Sequence, residues 1–159
     1  MKTYSTILTF IIGITNICFG QWSVTHLTEA RCFPGAVSTQ SKVFFAGGYI
    51  DANAGIMTKT IDIYDNSTNT WTLDSLTEAR GDVACVTYGN KVFFGGGTTN
   101  GGGCSKTVDI LDLQLGIWSA DSLMTEQAGA IGIAINDELF FAGGINSSPS
   151  GTTNTISIY

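Results

Sequence analysis

The sequence predicts an all-β chain of stacked antiparallel sheets built from a repeated four-strand unit. Three observations predict it. Trp22, Trp71 and Trp118 are spaced by 49 and 47 residues, with Leu27, Leu76 and Leu123 five residues after each and Phe45, Phe94 and Phe141 23 after each. Repeats of this period mark folds in which each unit is one supersecondary element that needs its neighbours to bury a core. The segments from Lys42 to Gly48, Lys91 to Gly97 and Glu138 to Gly144 carry apolar residues without alternation, so both faces of those strands must be covered. No segment between them shows helical periodicity or a cap, which removes a parallel α/β sheet.

Within a unit the elements follow in a fixed order. Leu27 to Arg31 and Leu76 to Arg80 both read Leu-Thr-Glu-Ala-Arg, and Gln127 holds the third Arg position. A run of small and apolar residues follows, Gly35-Ala36-Val37, Val83 to Val86 or Ala128 to Gly132, which forms the first strand. Gln40-Ser41, Gly89-Asn90 and Asn136-Asp137 suit two-residue hairpin turns. The Phe-Phe strand then ends in a Gly pair. After a loop comes Thr60 to Asp65, matched by Thr107 to Asp112 and by Thr155 to Tyr159, and a polar turn such as Asp65 to Asn69 leads to the Trp strand. All length variation falls between the Gly pair and the third strand.

Of 159 residues 20 are Gly, and charged residues make up 13%, about half the roughly 25% usual for a globular chain. Hydrophobic residues at 43% supply a core, which excludes disorder, collagen and coiled coil. A net charge of −6 with no basic stripe argues against nucleic acid or an anionic membrane as partner. Residues 1–20 read as a secretory signal: Lys2 is the only charge, Ile7 to Ile17 is mostly apolar, and Cys18 and Gly20 are small. That run is too short to span about 30 Å of hydrocarbon. The mature chain, 21–159, is therefore expected to be secreted or periplasmic, with no membrane insertion after cleavage and a net charge of −7 once Lys2 is gone.

The repeated frame resembles the kelch repeat. The resemblance is carried by Arg31, Phe44, Phe45, Gly47, Gly48, Tyr64 and Trp71, and again by Arg80, Phe93, Phe94, Gly96, Gly97 and Trp118. Trp22 heads the first copy, and Gly143 and Gly144 form the pair in the third. It covers 21–159 and implies kelch-type β-propeller blades: an outer strand at 21–26, blades at 27–75 and 76–122, and a partial blade at 123–159. Small residues in each first strand fit the crowding at a propeller axis. The resemblance also implies that Trp71 packs on Gly47-Gly48. Gln127 for Arg, Leu111 for Tyr and Phe for the usual Tyr before the Gly pair depart from the pattern, and leave open how the third unit replaces its Arg. By register the next Trp would fall seven residues after Tyr159, so the chain is expected to hold about two and three-quarter blades, whereas closed propellers have four or more. Further blades or self-association are then needed to cover exposed blade faces.

Chemistry is sparse. His26 is the only histidine, so a His-rich metal site cannot be built. Asp62 and Asp109, like Glu29 and Glu78, recur at one repeat position; a catalytic acid/base pair needs two different environments, so recurrence favours structural hydrogen bonds. The Gly pairs lack the following helix of a phosphate loop. Secreted kelch proteins include galactose-oxidase-like copper enzymes and sialic-acid epimerases, but none of their constellations maps onto residues here. No catalytic residue, metal ligand or cofactor is assigned.

Cys32, Cys85 and Cys104 are an odd set for an oxidising compartment. Cys85 reads as a small buried hydrophobe, and Cys32 and Cys104, both near the loop face, as a candidate disulfide. The variable loops Ile50 to Thr58, Thr98 to Ser105 and Ile145 to Asn154 share one slot and should gather on one face, where Asp51, Asn53, Thr99, Asn100, Asn146 and Ser147 are candidate ligand contacts. Their amides and hydroxyls suit a carbohydrate or protein partner. Three readings follow: a secreted binding module; a fragment of an epimerase- or oxidase-like carbohydrate enzyme whose catalytic residues lie elsewhere; or a purely structural surface protein.

Overall fold

The computed structural model describes residues 22–147 and 151–159; the signal expected at 1–20 lies outside them. The described residues form strands and no helix. In unit 1, β1 (Gly35–Ser38) and β2 (Lys42–Ala46) are followed by a small hairpin of β3 (Tyr49–Asp51) and β4 (Ile56–Met57), then by β5 (Thr60–Asp65) and β6 (Thr70–Ser75). Unit 2 comprises β7 (Arg80–Gly81), β8 (Ala84–Tyr88), β9 (Lys91–Gly95), β10 (Thr98–Thr99), β11 (Thr107–Asp112) and β12 (Ile117–Ser122). Unit 3 has β13 (Ile131–Ile135), β14 (Glu138–Ala142) and β15 (Ile156–Ile158). The main sheets run β1-β2-β5-β6, β8-β9-β11-β12 and β13-β14-β15, and β7 pairs with β10. Every ladder is antiparallel. The turns expected at Gly89-Asn90 and Asn136-Asp137 form, flanked by the pairs Tyr88↔Lys91 and Ile135↔Glu138. Gly89 and Asn136 supply the positive φ, 58° and 51°, that such turns require.

The sheets stack because each carries two apolar faces. Phe44, Ala46, Ile61 and Ile63 of unit 1 pack on Val92, Phe94 and Leu111 of unit 2. The opposite face of unit 2, with Val86, Phe93, Val108 and Ile110, packs on Leu139 and Phe141 of unit 3. Each such side chain contributes about 1.5–3 kcal/mol when fully buried. Neighbouring first strands lie side by side, β8 between β1 and β13, whereas β6 is exposed along its whole length. The small residues of the first strands are thereby explained: a Cβ on Gly35 would strike the Cys85 sulfur and the Val83 carbonyl oxygen.

A buried polar bond set repeats at each unit. The Arg31 guanidinium donates to the Phe45 carbonyl at 3.1 Å and pairs with Asp62 at 2.6 Å. Arg80 donates to the Phe94, Gly96 and Thr107 carbonyls and pairs with Asp109. In unit 3, Gln127 Nε2 donates to the Gly143 and Thr155 carbonyls at 3.0 and 3.2 Å, and Ser157 Oγ donates to Gln127 Oε1 at 3.1 Å. A neutral pair thus answers the question left by the missing Arg.

Two expectations are corrected. Trp71 does not lie on Gly47-Gly48; it packs against Phe45 and Tyr64, with ring centroids 6.2 and 5.2 Å away. Gly47 is needed elsewhere: its φ is 62°, and a Cβ there would strike the Arg80 carbonyl of the next unit. The Gly48 N–H donates to that same carbonyl at 2.9 Å, and Gly97 does likewise to Gln127 at 2.8 Å, so the Gly pair is where one sheet's backbone docks on the next. Residues 22–26, expected as an outer strand, form no strand, and Trp22 is 102% exposed. β6 and β12 exist because each pairs with the third strand of its own sheet; by register, 22–26 would need a third strand from a sheet ahead of unit 1.

Candidate functional site

The connections entering the first strands and those following the Gly pairs meet at one end of the sheets. Residue-to-residue bridges tie them: Cys32↔Tyr49 in unit 1, Gly81↔Thr98 in unit 2 and Ala128↔Ile145 in unit 3. These are the same repeat position three times, so each unit ties its entering connection to the residue after its Gly pair in the same way.

At the boundary of units 1 and 2 this end carries a polar cluster that occurs once among the described residues. Tyr49 Oη donates to Asp82 Oδ2 at 2.7 Å, and Thr98 Oγ1 donates to the same oxygen at 3.2 Å. Gly81 allows it, because a side chain there would strike the Tyr49 ring that lies across its backbone. Phe33 meets Tyr49 edge to face, with centroids 6.1 Å apart, and is 65% exposed. Phe33, Asp82 and Gly129 occupy one repeat position, and all three have left-handed backbone, at φ 50°, 53° and 64°. Glycine adopts that conformation freely and Asp tolerates it, but a bulky Phe there is strained, and such strain concentrates at functional sites.

Burial, with the Asp82 carboxylate beside it, raises the Tyr49 phenol above its ordinary 10.0. The phenol therefore stays protonated near neutral pH and acts as a hydrogen-bond donor, not a base. Burial likewise raises the Cys104 thiol, with Glu126 and Asp82 adding to it, and pushes Cys85 up to about 12. Thiols raised in this way are poor nucleophiles. Among the described residues no group of three or more His, Cys, Asp or Glu side chains gathers to hold a metal ion.

The candidate ligand residues divide. Asp51 spends its carboxylate on the Asn53 and Ala54 amides of its own turn, both at 3.0 Å, and Asn53 is exposed. Thr99 hydrogen-bonds within its loop, to the Gly103 carbonyl at 3.2 Å. Asn100 and Ser147 cross unit boundaries: the Met57 amide donates to Asn100 Oδ1 at 2.6 Å, and the Cys104 amide donates to Ser147 Oγ at 3.2 Å. Asn146 is half-buried beside Ser147. Cys32 and Cys104 are free thiols. The disulfide expected between them is therefore not formed. His26 is exposed.

Asp82, Tyr49, Thr98 and Phe33 were not singled out from the sequence as ligand contacts. Repetition drew attention to residues that recur, and this cluster is made of residues that do not. The available signal was the mismatch itself, Phe and Asp where the third unit has Gly.

Among solved structures, one described as the structure of YjhT matches with a TM-score of 0.72 at 12% sequence identity, over 87% of this chain and 48% of that one. The likeness shows the all-β fold, and the chain spans about half the length of that protein. No protein-family model and no curated protein matches.

Proposed function

We propose that the chain is a secreted kelch-type β-propeller segment that binds carbohydrate through the loop face bearing Tyr49, Asp82 and Phe33. The observation that carries this reading is the cluster itself. A carboxylate and a phenol face one another on strained, rigidly bridged backbone, beside an exposed aromatic ring. Sugars present hydroxyls to carboxylates and C–H faces to aromatic rings, so this combination fits a saccharide. The kelch-like motif and the fold likeness support the propeller, and the apolar start of the chain supports secretion.

The test is a glycan array with the purified protein and its Asp82→Gly and Tyr49→Phe variants. Asp82→Gly copies unit 3, relieving backbone strain while removing the carboxylate, so stability should hold within about 1 kcal/mol while glycan binding falls at least tenfold. Array binding unchanged in both variants overturns the site, and a protein ligand without any glycan hit overturns the ligand class.

A further inference from the structure

The residues that enter the three first strands form one row. The Asp82 amide donates to the Phe33 carbonyl at 3.3 Å, and the Gly129 amide donates to the Asp82 carbonyl at 2.9 Å. Three residues of one repeat position therefore stand side by side, bearing an aromatic ring, a carboxylate and no side chain at all. Phe33 is 65% exposed, and a Cβ on Gly129 would meet no atom within 4 Å. The row thus offers a wall, a charge and an open berth in that order.

The charge has no answer within the molecule as described. Asp82 Oδ2 accepts from the Tyr49 phenol and the Thr98 hydroxyl, both neutral, and no ion pair among the described residues includes Asp82. The cations are engaged elsewhere. Arg31 and Arg80 are buried on Asp62 and Asp109. Lys42 pairs with Asp65 beside the hairpin turn at the opposite end of the sheet, where Lys91 holds the matching position. Lys59 stands in the outer cleft with Asp74 and Trp118, and Lys106 begins the next third strand in the same way. Glu126 deepens the negative field, since it and Asp82 both raise the Cys104 thiol beyond what burial does.

A carboxylate that is half withdrawn from water calls for a counter-charge, and here one has to come from the ligand. An ammonium group satisfies both neighbours at once. It donates charge-assisted hydrogen bonds to the carboxylate, about twice as strong as those of a neutral hydroxyl, and it is attracted to the face of an aromatic ring such as Phe33. An anionic sugar meets like charge instead, which selects against it.

We propose that the saccharide bound by this face is an amino sugar with a free amine, its ammonium on Asp82 beside Phe33 and its ring over Gly129. The inference rests on the sugar-binding reading and narrows it to a cationic class. Acetylation of the amine removes the charge and with it the preference.

The experiment is titration calorimetry of the purified protein with tetramers of glucosamine, N-acetylglucosamine and galacturonic acid, at low and high salt, repeated on Asp82→Asn. That variant keeps an acceptor oxygen for Tyr49 and Thr98 and loses only the charge. The glucosamine tetramer should bind about tenfold or more tighter than its acetylated form, the galacturonate should bind weakest, and the difference should shrink with salt and vanish in Asp82→Asn. Should the variant fail to fold, the ranking of the three ligands and its salt dependence decide. Acetylated or acidic tetramers bound as tightly as the amine overturn the inference and leave the sugar-binding reading standing. A preference for the amine that Asp82→Asn does not change overturns it too. Binding of none of the three also overturns it, and the glycan array then separates the two claims: a blank array removes the sugar-binding reading as well, whereas a hit on another saccharide preserves it.

Discussion

Units 2 and 3 fill one buried position with opposite chemistry. In unit 2, Arg80 and Asp109 meet with side chains 0% and 2% exposed; in unit 3, Gln127 and Ser157 make the corresponding bonds without a charge. The carbonyls served are equivalent, Gly96 and Thr107 in one case and Gly143 and Thr155 in the other. Both ends of the pair changed together. A Gln facing Asp, or an Arg facing Ser, would leave a buried charge uncompensated, which costs more than either matched pair. The fold therefore requires that these carbonyls be satisfied and leaves the charge state free. Burial pulls the Arg80 guanidinium below its ordinary range in spite of Asp109 and Glu78 beside it, so desolvation outweighs the attraction in unit 2, as is common for buried ion pairs.

The sharpest way to break this equivalence is to remove one partner. Asp109→Ala leaves Arg80 buried with its charge unanswered, apart from Glu78 at 3.7 Å, and strips the Thr77 amide of its acceptor. It should cost about 3–5 kcal/mol, read as a shift in the urea midpoint at constant slope. A cost below about 1 kcal/mol would show that the ion pair is dispensable even when broken.

A smaller effect is expected from transplanting the neutral pair. Arg80→Gln with Asp109→Ser should cost about 1 kcal/mol or less, since well-matched neutral replacements of buried ion pairs are often near neutral. The double variant should thus be more stable than Asp109→Ala, a non-additivity that a double-mutant cycle measures directly. Additive costs would mean that unit 3 is tuned around Gln127 in ways that unit 2 cannot copy.

How much of this was legible in the sequence follows from the same comparison. The repeat frame was readable because Trp, Leu and the Phe pair keep their spacing in every copy, and spacing survives when individual residues change. The neutral pair was half readable: Gln127 stood out, yet its partner Ser157 lies 30 residues away and only the register of β14 on β15 brings them together. The glycines were misread because their contact is a carbonyl of the following unit, and backbone atoms have no sequence signature. Trp22 was misread because a strand needs a partner as well as a sequence, and its partner position is empty. The Tyr49–Asp82 cluster was invisible because it joins two units at positions where the copies differ.

Acid exposes the difference between ionic and neutral pairs most gently, and unit 1 is the place to look. Burial alone would raise Asp62, but the Thr28 amide and the Arg31 guanidinium outweigh it and hold the carboxyl below its ordinary 3.8. A carboxyl depressed by folding adds stability above its unfolded value and loses it as pH falls through the folded one. Unit 1 should therefore weaken as pH drops below about 4, while Gln127 and Ser157 have nothing to titrate. Replacing Arg31→Gln with Asp62→Ser should flatten the dependence of the urea midpoint on pH between 5 and 2. The slope should shrink without vanishing, because Asp65, held at about 2 by Ser67 and Lys42, titrates in the same direction. An unchanged slope would mean that the Asp62 ion pair survives acid intact, and that the charge in units 1 and 2 is protected by burial itself.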